Sequence, residues 1–218
     1  MDNRSRREED MPDTQPEIIT LVVGQLQTNC YLVICPDTHS ALAIDPADEA
    51  PRIVRAAQRA SARIEKILLT HTHLDHVWGL PALREATGAT VLAHRLDVEM
   101  LEQYARVFGL RPEQLPNLRP DIQLEGGETI SVGHLRGTII HTPGHSPGSI
   151  ALAMGNALFA GDTLFAQGVG RTDLPGGSLE QLLASIQRLF TLPEETTVYP
   201  GHGPATTIGT EKRDNPYV

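Results

Sequence analysis

The segment HTHLDH, residues 71–76, constrains this chain more than any other. It follows directly on RIEKILLT (63–70), an apolar run with the length and composition of a buried strand. Three histidines and an aspartate at a strand end cannot simply be absorbed into a core, because burying unpaired polar groups is costly. Their density calls for a chemical task, and neutral imidazoles with carboxylates are what a zinc-like divalent ion takes. His71 and His73, two apart in a turn, can converge on one ion, while Asp75 and His76 can turn toward a second. The fold must therefore let strands end at a common edge where loops gather donors.

The rest of the pattern is compatible with that demand. Short apolar runs at 17–23, 29–35 and 41–45 read as strands, a helical spacing covers 49–61, and the strand at 63–70 precedes a helix at 79–88 and a strand at 90–94. Residues 95–121 form the longest stretch between clear strands. They read as a helix ending at Gly109 and a Pro-punctuated segment, expected to cover part of the site mouth. Four strands follow at 128–132, 134–142, 149–155 and 156–162. An amphipathic helix at 178–190 has Ser178 as its N-cap, and TTVYPGHG reads as the last strand and its loop. Two halves of strands followed by helix, each with donors at strand ends, predict an α+β fold: a four-layer αββα sandwich spanning residues 17–218. Residues 1–16, charged and without an apolar stretch, read as a disordered tail that is neither a signal peptide nor a membrane span.

Three more donors stand in loops after strands: His145 in TPGHSPG, Asp162 after NALFAG, and His202 in YPGHGP. Taken in order, HTHLDH, TPGHSPG, GDTLF and PGHGP resemble the metallo-β-lactamase superfamily, over essentially residues 17–218. The resemblance implies that His71, His73 and His145 hold a first metal, that Asp75, His76 and His202 hold a second, and that Asp162 bridges them. It thus implies two divalent ions, zinc first, with iron or manganese as alternatives. Asp45 in AIDPA matches a family position beside the metal loop; it either orients a ligand or caps the following turn. His39, His94, His134 and His141 lie off the motifs and read as structural.

Two divalent ions that share a water lower its pKa toward neutrality, which makes hydroxide the expected nucleophile and Asp75 the residue that orients it. No GxSxG motif offers a serine instead. The stretch TLFAQGVGRTDLPGG and the C-terminal TIGTEKRDNP resemble the glyoxalase II-like branch, including its short single-domain members. That implies hydrolysis of a thioester such as S-lactoylglutathione. Arg171 would then meet an anionic substrate group or brace the loop, unless it forms a structural ion pair. The longer glyoxalase II enzymes add a C-terminal helical domain that holds glutathione, for which the sequence after His202 has no room. Tyr104 and Phe108 could line a replacement pocket, although a spacing of four better suits one helix face packed on the core.

Composition trims the alternatives. The 18 basic and 27 acidic residues give a net charge of −9, which argues against nucleic acid or an anionic membrane as partner. Two cysteines, Cys30 and Cys35, point to opposite faces of one strand and are expected to be free thiols, as in a cytoplasmic protein. The GRTD segment also resembles that of persulfide dioxygenases of the same fold, which implies as an alternative a mononuclear Fe(II) enzyme using His71, His145 and Asp162, and a lactonase of the same fold is a further one. A periplasmic β-lactamase would be expected to carry a signal peptide.

Overall fold

The structure, a computed structural model, describes residues 15–107, 109–115 and 118–218. Most of the expected tail lies outside the described residues, as does Phe108. Of the tail, Gln15 and Pro16 are described, and Gln15 already accepts a hydrogen bond from Asn156 N at 3.4 Å.

Two six-stranded sheets face each other. The first runs β1 (Glu17–Val23), β2 (Thr28–Ile34), β3 (Ser40–Ile44), β4 (Arg63–Leu68), β5 (Thr90–His94) and β6 (Ile122–Leu124) in spatial order. In the second, β7 (Thr129–Val132), β8 (Leu135–His141), β9 (Ile150–Met154), β10 (Ala157–Gly161), β13 (Thr197–Pro200) and β14 (Thr206–Thr207) are adjacent in that order. A two-stranded ribbon, β11 (Leu164–Phe165) and β12 (Gly168–Val169), follows β10. The strands β3 to β6 are parallel, so helical crossovers must join them: α1 (Ala50–Arg59), the pair α2 (Leu74–Val77) and α3 (Leu80–Thr87), then α4 (Arg95–Val107). In the second sheet α5 (Leu179–Leu189) joins the parallel pair β10 and β13.

Alternation along the strands makes the layers. In β2, Cys30, Leu32 and Ile34 pack outward with Ile53 and Ala57 of α1 and Leu80 and Leu83 of α3. From the same strand, Tyr31 and Val33, followed by Cys35, point inward against Leu152 and Phe159 of the other sheet. The two cysteines thus lie on opposite faces, buried and free. On the far side, α5 buries Leu182, Ser185, Ile186 and Leu189, one helical stripe, against Leu158 and Ala160. Full burial of each large aliphatic side chain there contributes roughly 1.5–3 kcal/mol. Ser178 caps α5 as expected, accepting from Gln181 N at 3.4 Å.

The αββα sandwich is therefore present, with corrections in detail. The short strand β6 falls between the segment 95–121 and the strand expected at 128–132, where no element was expected, because three residues are too few to show a period. TTVYPGHG is not the last strand: β14 returns to pair with β13, and α6 (Ile208–Asp214) closes the fold. No helix among the described residues is long and apolar enough to cross a membrane.

Candidate metal centre

Strands β3, β4, β10 and β13 end at one edge, and the loops beyond them carry the candidate donors. Backbone hydrogen bonds stitch the two sheets together there: Ile150 N donates to Thr70 O at 2.9 Å and Asn29 N to Gly201 O at 2.7 Å. The Tyr31 hydroxyl adds a bond to Pro200 O at 2.6 Å. Gly201 is required by proximity, since a Cβ at this position would run into Asp162 Oδ1 and approach His76 Cε1 to 2.7 Å.

All seven residues singled out as metal ligands come together. The ligand atoms of His71, His73 and His145 lie within 4.8 Å of one another, as do those of Asp75, His76 and His202. Asp162 stands between the groups: Oδ2 is 3.6 Å from both His145 Nε2 and His202 Nε2, and Oδ1 is 3.4 Å from His76 Nε2. His73 Nδ1 faces His145 Nε2 at 2.8 Å, and His76 Nε2 faces His202 Nε2 at 3.2 Å. Nitrogens of different rings turned toward one another can share a proton in an N–H···N bond or offer their lone pairs to one cation. His71 Nε2 and Asp162 Oδ1 are buried without a hydrogen-bond partner, which is otherwise expensive. This donor set fits divalent metal ions.

The outer nitrogens explain why the inner ones point inward. His145 Nδ1 donates to the Arg171 carbonyl at 2.7 Å and His202 Nδ1 to the Leu26 carbonyl at 3.1 Å. His76 Nδ1 donates to Asp45 Oδ2 at 2.9 Å. The Thr70 hydroxyl gives its proton to Asp45 Oδ2 at 2.6 Å, so its oxygen accepts from His71 Nδ1 at 3.0 Å. Each outer bond holds its ring with the other nitrogen facing the centre, the arrangement by which outer partners orient metal ligands. Asp45 does more than cap a turn: it takes bonds from Thr70 N, Thr70 Oγ1 and His76.

Charge separates the two groups. Burial, reinforced by neighbouring imidazoles, holds His71 well below its ordinary pKa and His73 down at about 3. His145 is lowered as well, mainly by burial. Burial also works against the charged form of His76, but Asp162, Asp45 and Asp75 outweigh it and raise His76 to about 9. For Asp75, burial is overcome by the hydrogen bond from His202 and the charge of His76, which hold its carboxyl far below the usual range.

Of the alternatives for Arg171, the ion pair is the one present. Arg171 extends its side chain to the exposed Asp173, with bonds of 2.6 and 2.7 Å, and only its carbonyl serves the centre. None of the described residues of 95–121 lines the recess that borders Asp75. That recess, about 360 Å3, is lined by Gly24, Leu26 and Thr28 of the β1–β2 hairpin with Leu74, Asp75 and Trp78. Tyr104 is buried as the helical spacing suggested, its ring edge-on to His73 with centroids 4.4 Å apart. His94 and His141 stack on each other at 4.3 Å, in keeping with a structural role. Thr70 and Asp97, both buried beside the ligand loops, carried no sequence signal, since a lone Thr or a helical Asp is ordinary.

Comparison with known proteins agrees with this architecture. The family model described as "Metallo-beta-lactamase superfamily" matches residues 23–202. The probable metallo-hydrolase YqgX of Bacillus subtilis is 38% identical over 90% of this chain and 94% of its own length. Hydroxyacylglutathione hydrolase GloC of Haemophilus influenzae is 36% identical over 90% of this chain and 95% of its own. Among solved structures, the BLEG-1 B3 metallo-beta-lactamase superposes with a TM-score of 0.85 at 36% identity, covering 92% of this chain and 99% of that one. TTHA1623, described in a di-iron-bound form, gives 0.79 at 41% identity, covering 92% and 100%. ETHE1 from Myxococcus xanthus gives 0.78 at 33% identity, covering 92% and 83%. With its two-sheet sandwich and its clustered His and Asp donors, the chain belongs to the metallo-beta-lactamase superfamily.

Proposed function

We propose that this chain is a binuclear metal-dependent hydrolase, a thioesterase acting on S-lactoylglutathione or a related thioester, with residues 17–218 as its catalytic domain. The observation that carries the reading is the set of four imidazoles whose outer nitrogens are each spent on an oxygen while their inner nitrogens converge. His71, His73 and His145 would hold one ion, Asp75, His76 and His202 the other, with Asp162 between. Zinc suits this nitrogen and oxygen set, and iron is the first alternative, since the related TTHA1623 is described as di-iron-bound. When bound, such ions polarise a carbonyl and lower the pKa of a water toward neutrality.

The chain's own groups supply the rest. The three histidines of the first group stay neutral at pH 7, so no proton competes for their lone pairs. Asp75, kept ionised, would orient the attacking water by accepting its hydrogen bond. Leu26, Leu74 and Trp78 would hold the part of the substrate flanking the scissile bond and exclude water around it. The thioester class is drawn from the relative named as a hydroxyacylglutathione hydrolase. Two free cysteines fit a cytoplasmic location.

Hydrolysis of S-D-lactoylglutathione by the purified protein, with and without chelator, tests the reading. Chelator-sensitive release of thiol is the expected result. Two bound metals without turnover of this or any other acyl thioester would remove the thioesterase and leave lactones as substrates. One iron per chain, with oxygen uptake on a persulfide, would replace it by the dioxygenase built on His71, His145 and Asp162. The complete second group speaks for the hydrolase over that alternative.

A further inference from the structure

Asp97 lies in the first turn of α4 and is fully buried. A carboxylate in that position must be paired or hydrogen-bonded to be tolerated. Among the described residues no cation pairs with it. Its two oxygens instead accept three hydrogen bonds: Thr72 N to Oδ2 at 2.9 Å, Ser146 Oγ to Oδ2 at 2.9 Å, and Gly148 N to Oδ1 at 2.6 Å. A fourth bond runs from Thr72 Oγ1 to the Asp97 carbonyl at 2.7 Å. Burial pushes the carboxyl up to about 6 and these donors oppose that rise, so the group is ionised at pH 7.

The positions of the donors matter more than their number. Thr72 is the residue between His71 and His73, in the loop after β4 of the first sheet. Ser146 follows His145, in the loop between β8 and β9 of the second. One buried carboxylate thus grips the loops that bring the three histidines together from opposite sheets. The grip is tight: a Cβ on Gly148 would lie 2.6 Å from Asp97 N and 2.7 Å from Asp97 Oδ1, so only glycine permits the approach. Ser146 is itself fixed, since Ser149 Oγ is 2.7 Å from its hydroxyl and accepts from its N–H at 3.1 Å.

We infer that Asp97 is a positioning residue for the three-histidine group, setting the distance between the His71–His73 loop and the His145 loop and thereby the affinity of that group for its metal. The inference rests on the proposal that these histidines bind a metal, but not on the identity of the substrate. It differs from the role of Asp45, which touches a ligand directly. Asp97 reaches the ligands through Thr72, the backbone of Gly148 and the side chain of Ser146. It also makes the first turn of α4 part of the centre, although none of that helix lines the recess.

The test is a Co(II) titration of chelator-treated protein, read by visible absorption and by metal content after dialysis, on wild type, Asp97→Asn and Ser146→Ala. The amide of Asp97→Asn keeps one acceptor but turns an N–H2 toward a donor, so one loop is released. Expected are a roughly 10–100-fold loss of affinity at the three-histidine group, the range for outer partners of metal ligands, and an altered d–d spectrum there. Affinity at the Asp75, His76 and His202 group should stay within about threefold, and kcat should fall more than KM rises. Asp97→Glu should not rescue, because a longer stem cannot fit the same three donors. Ser146→Ala, which removes one donor and leaves the backbone bonds, should lower affinity at the same group by a smaller factor. If Asp97→Asn fails to fold, Ser146→Ala decides alone. Unchanged Co(II) affinity and spectrum in a folded Asp97→Asn, or in Ser146→Ala where it decides, would overturn the inference. Wild type binding no Co(II) would instead sink the metal reading on which it stands.

Discussion

The two halves of the centre are built on different physical terms. His71, His73 and His145 are 1, 4 and 2% exposed, surrounded by Thr70, Asp97 and Tyr104, and held neutral by burial. In the other half, the side chains of Asp75 and His202 are 24 and 28% exposed, Asp75 fronts the recess, and carboxylates raise the pKa of His76 and His202. The first group offers geometry without charge, and its cation would be bound because no proton competes for it. The second group offers negative charge and access, so its cation would be the one nearer solvent and substrate. Asp162 belongs to both, within 3.6 Å of His145 in one half and of His76 and His202 in the other.

That contrast can be broken most severely at the shared residue. Asp162→Ala should lower metal content at both halves and cut thioester turnover by more than about 100-fold, beyond the range for outer partners. Asp75→Ala should lose one metal and retain the other. Elemental analysis after dialysis separates the two outcomes, and retention of two metals in Asp162→Ala would show that the halves bind independently.

A smaller effect should appear in the pH dependence of chelator-treated protein. His76, raised to about 9, contributes stability that is complete below its unfolded value of 6.5 and lost as pH rises through 9. His73, lowered to about 3, acts in the opposite direction: its contribution is present above 6.5 and lost as pH falls toward 3. Thermal melts should therefore peak between these limits, and metal loading should abolish the alkaline loss because a cation replaces the His76 proton. An alkaline limb that is the same with and without metal would place the raised group elsewhere. The smallest effect is expected from Arg171→Ala. Its side chain is committed to Asp173 in solvent and its carbonyl survives the substitution, so kcat/KM should change by less than about twofold. A rise in KM alone would show that the guanidinium leaves Asp173 to meet substrate.

Much of this centre is legible in the sequence because ligands are chemically distinctive. Imidazoles and carboxylates at strand ends have few structural uses, so HTHLDH, His145, Asp162 and His202 stand out even when hundreds of atoms of context are missing. The alternation and helical spacing that place them at strand ends are equally local, since each strand or helix is amphipathic by itself. Ser178 was readable as a cap for the same reason. Short elements such as β6 and β14 were not, because two or three residues show no period and form only where a neighbouring strand offers partners.

What tertiary structure alone decided is who supports the ligands. Asp97 is 25 residues from Thr72 and 49 from Ser146, and nothing in RLDVEML distinguishes it from a solvent-facing helix aspartate. Arg171 has a side chain that drew attention as a cation, yet only its carbonyl, which every residue possesses, serves His145. The recess likewise forms from Leu26 and Trp78, apolar residues that meet only when the β1–β2 hairpin folds over α2. Which residues can bind a metal is set by side-chain chemistry and is therefore written in the order of the amino acids. Their orientation, charge state and access were decided by contacts between distant segments, since hydrogen-bond partners and burial exist only once the two sheets have closed on each other.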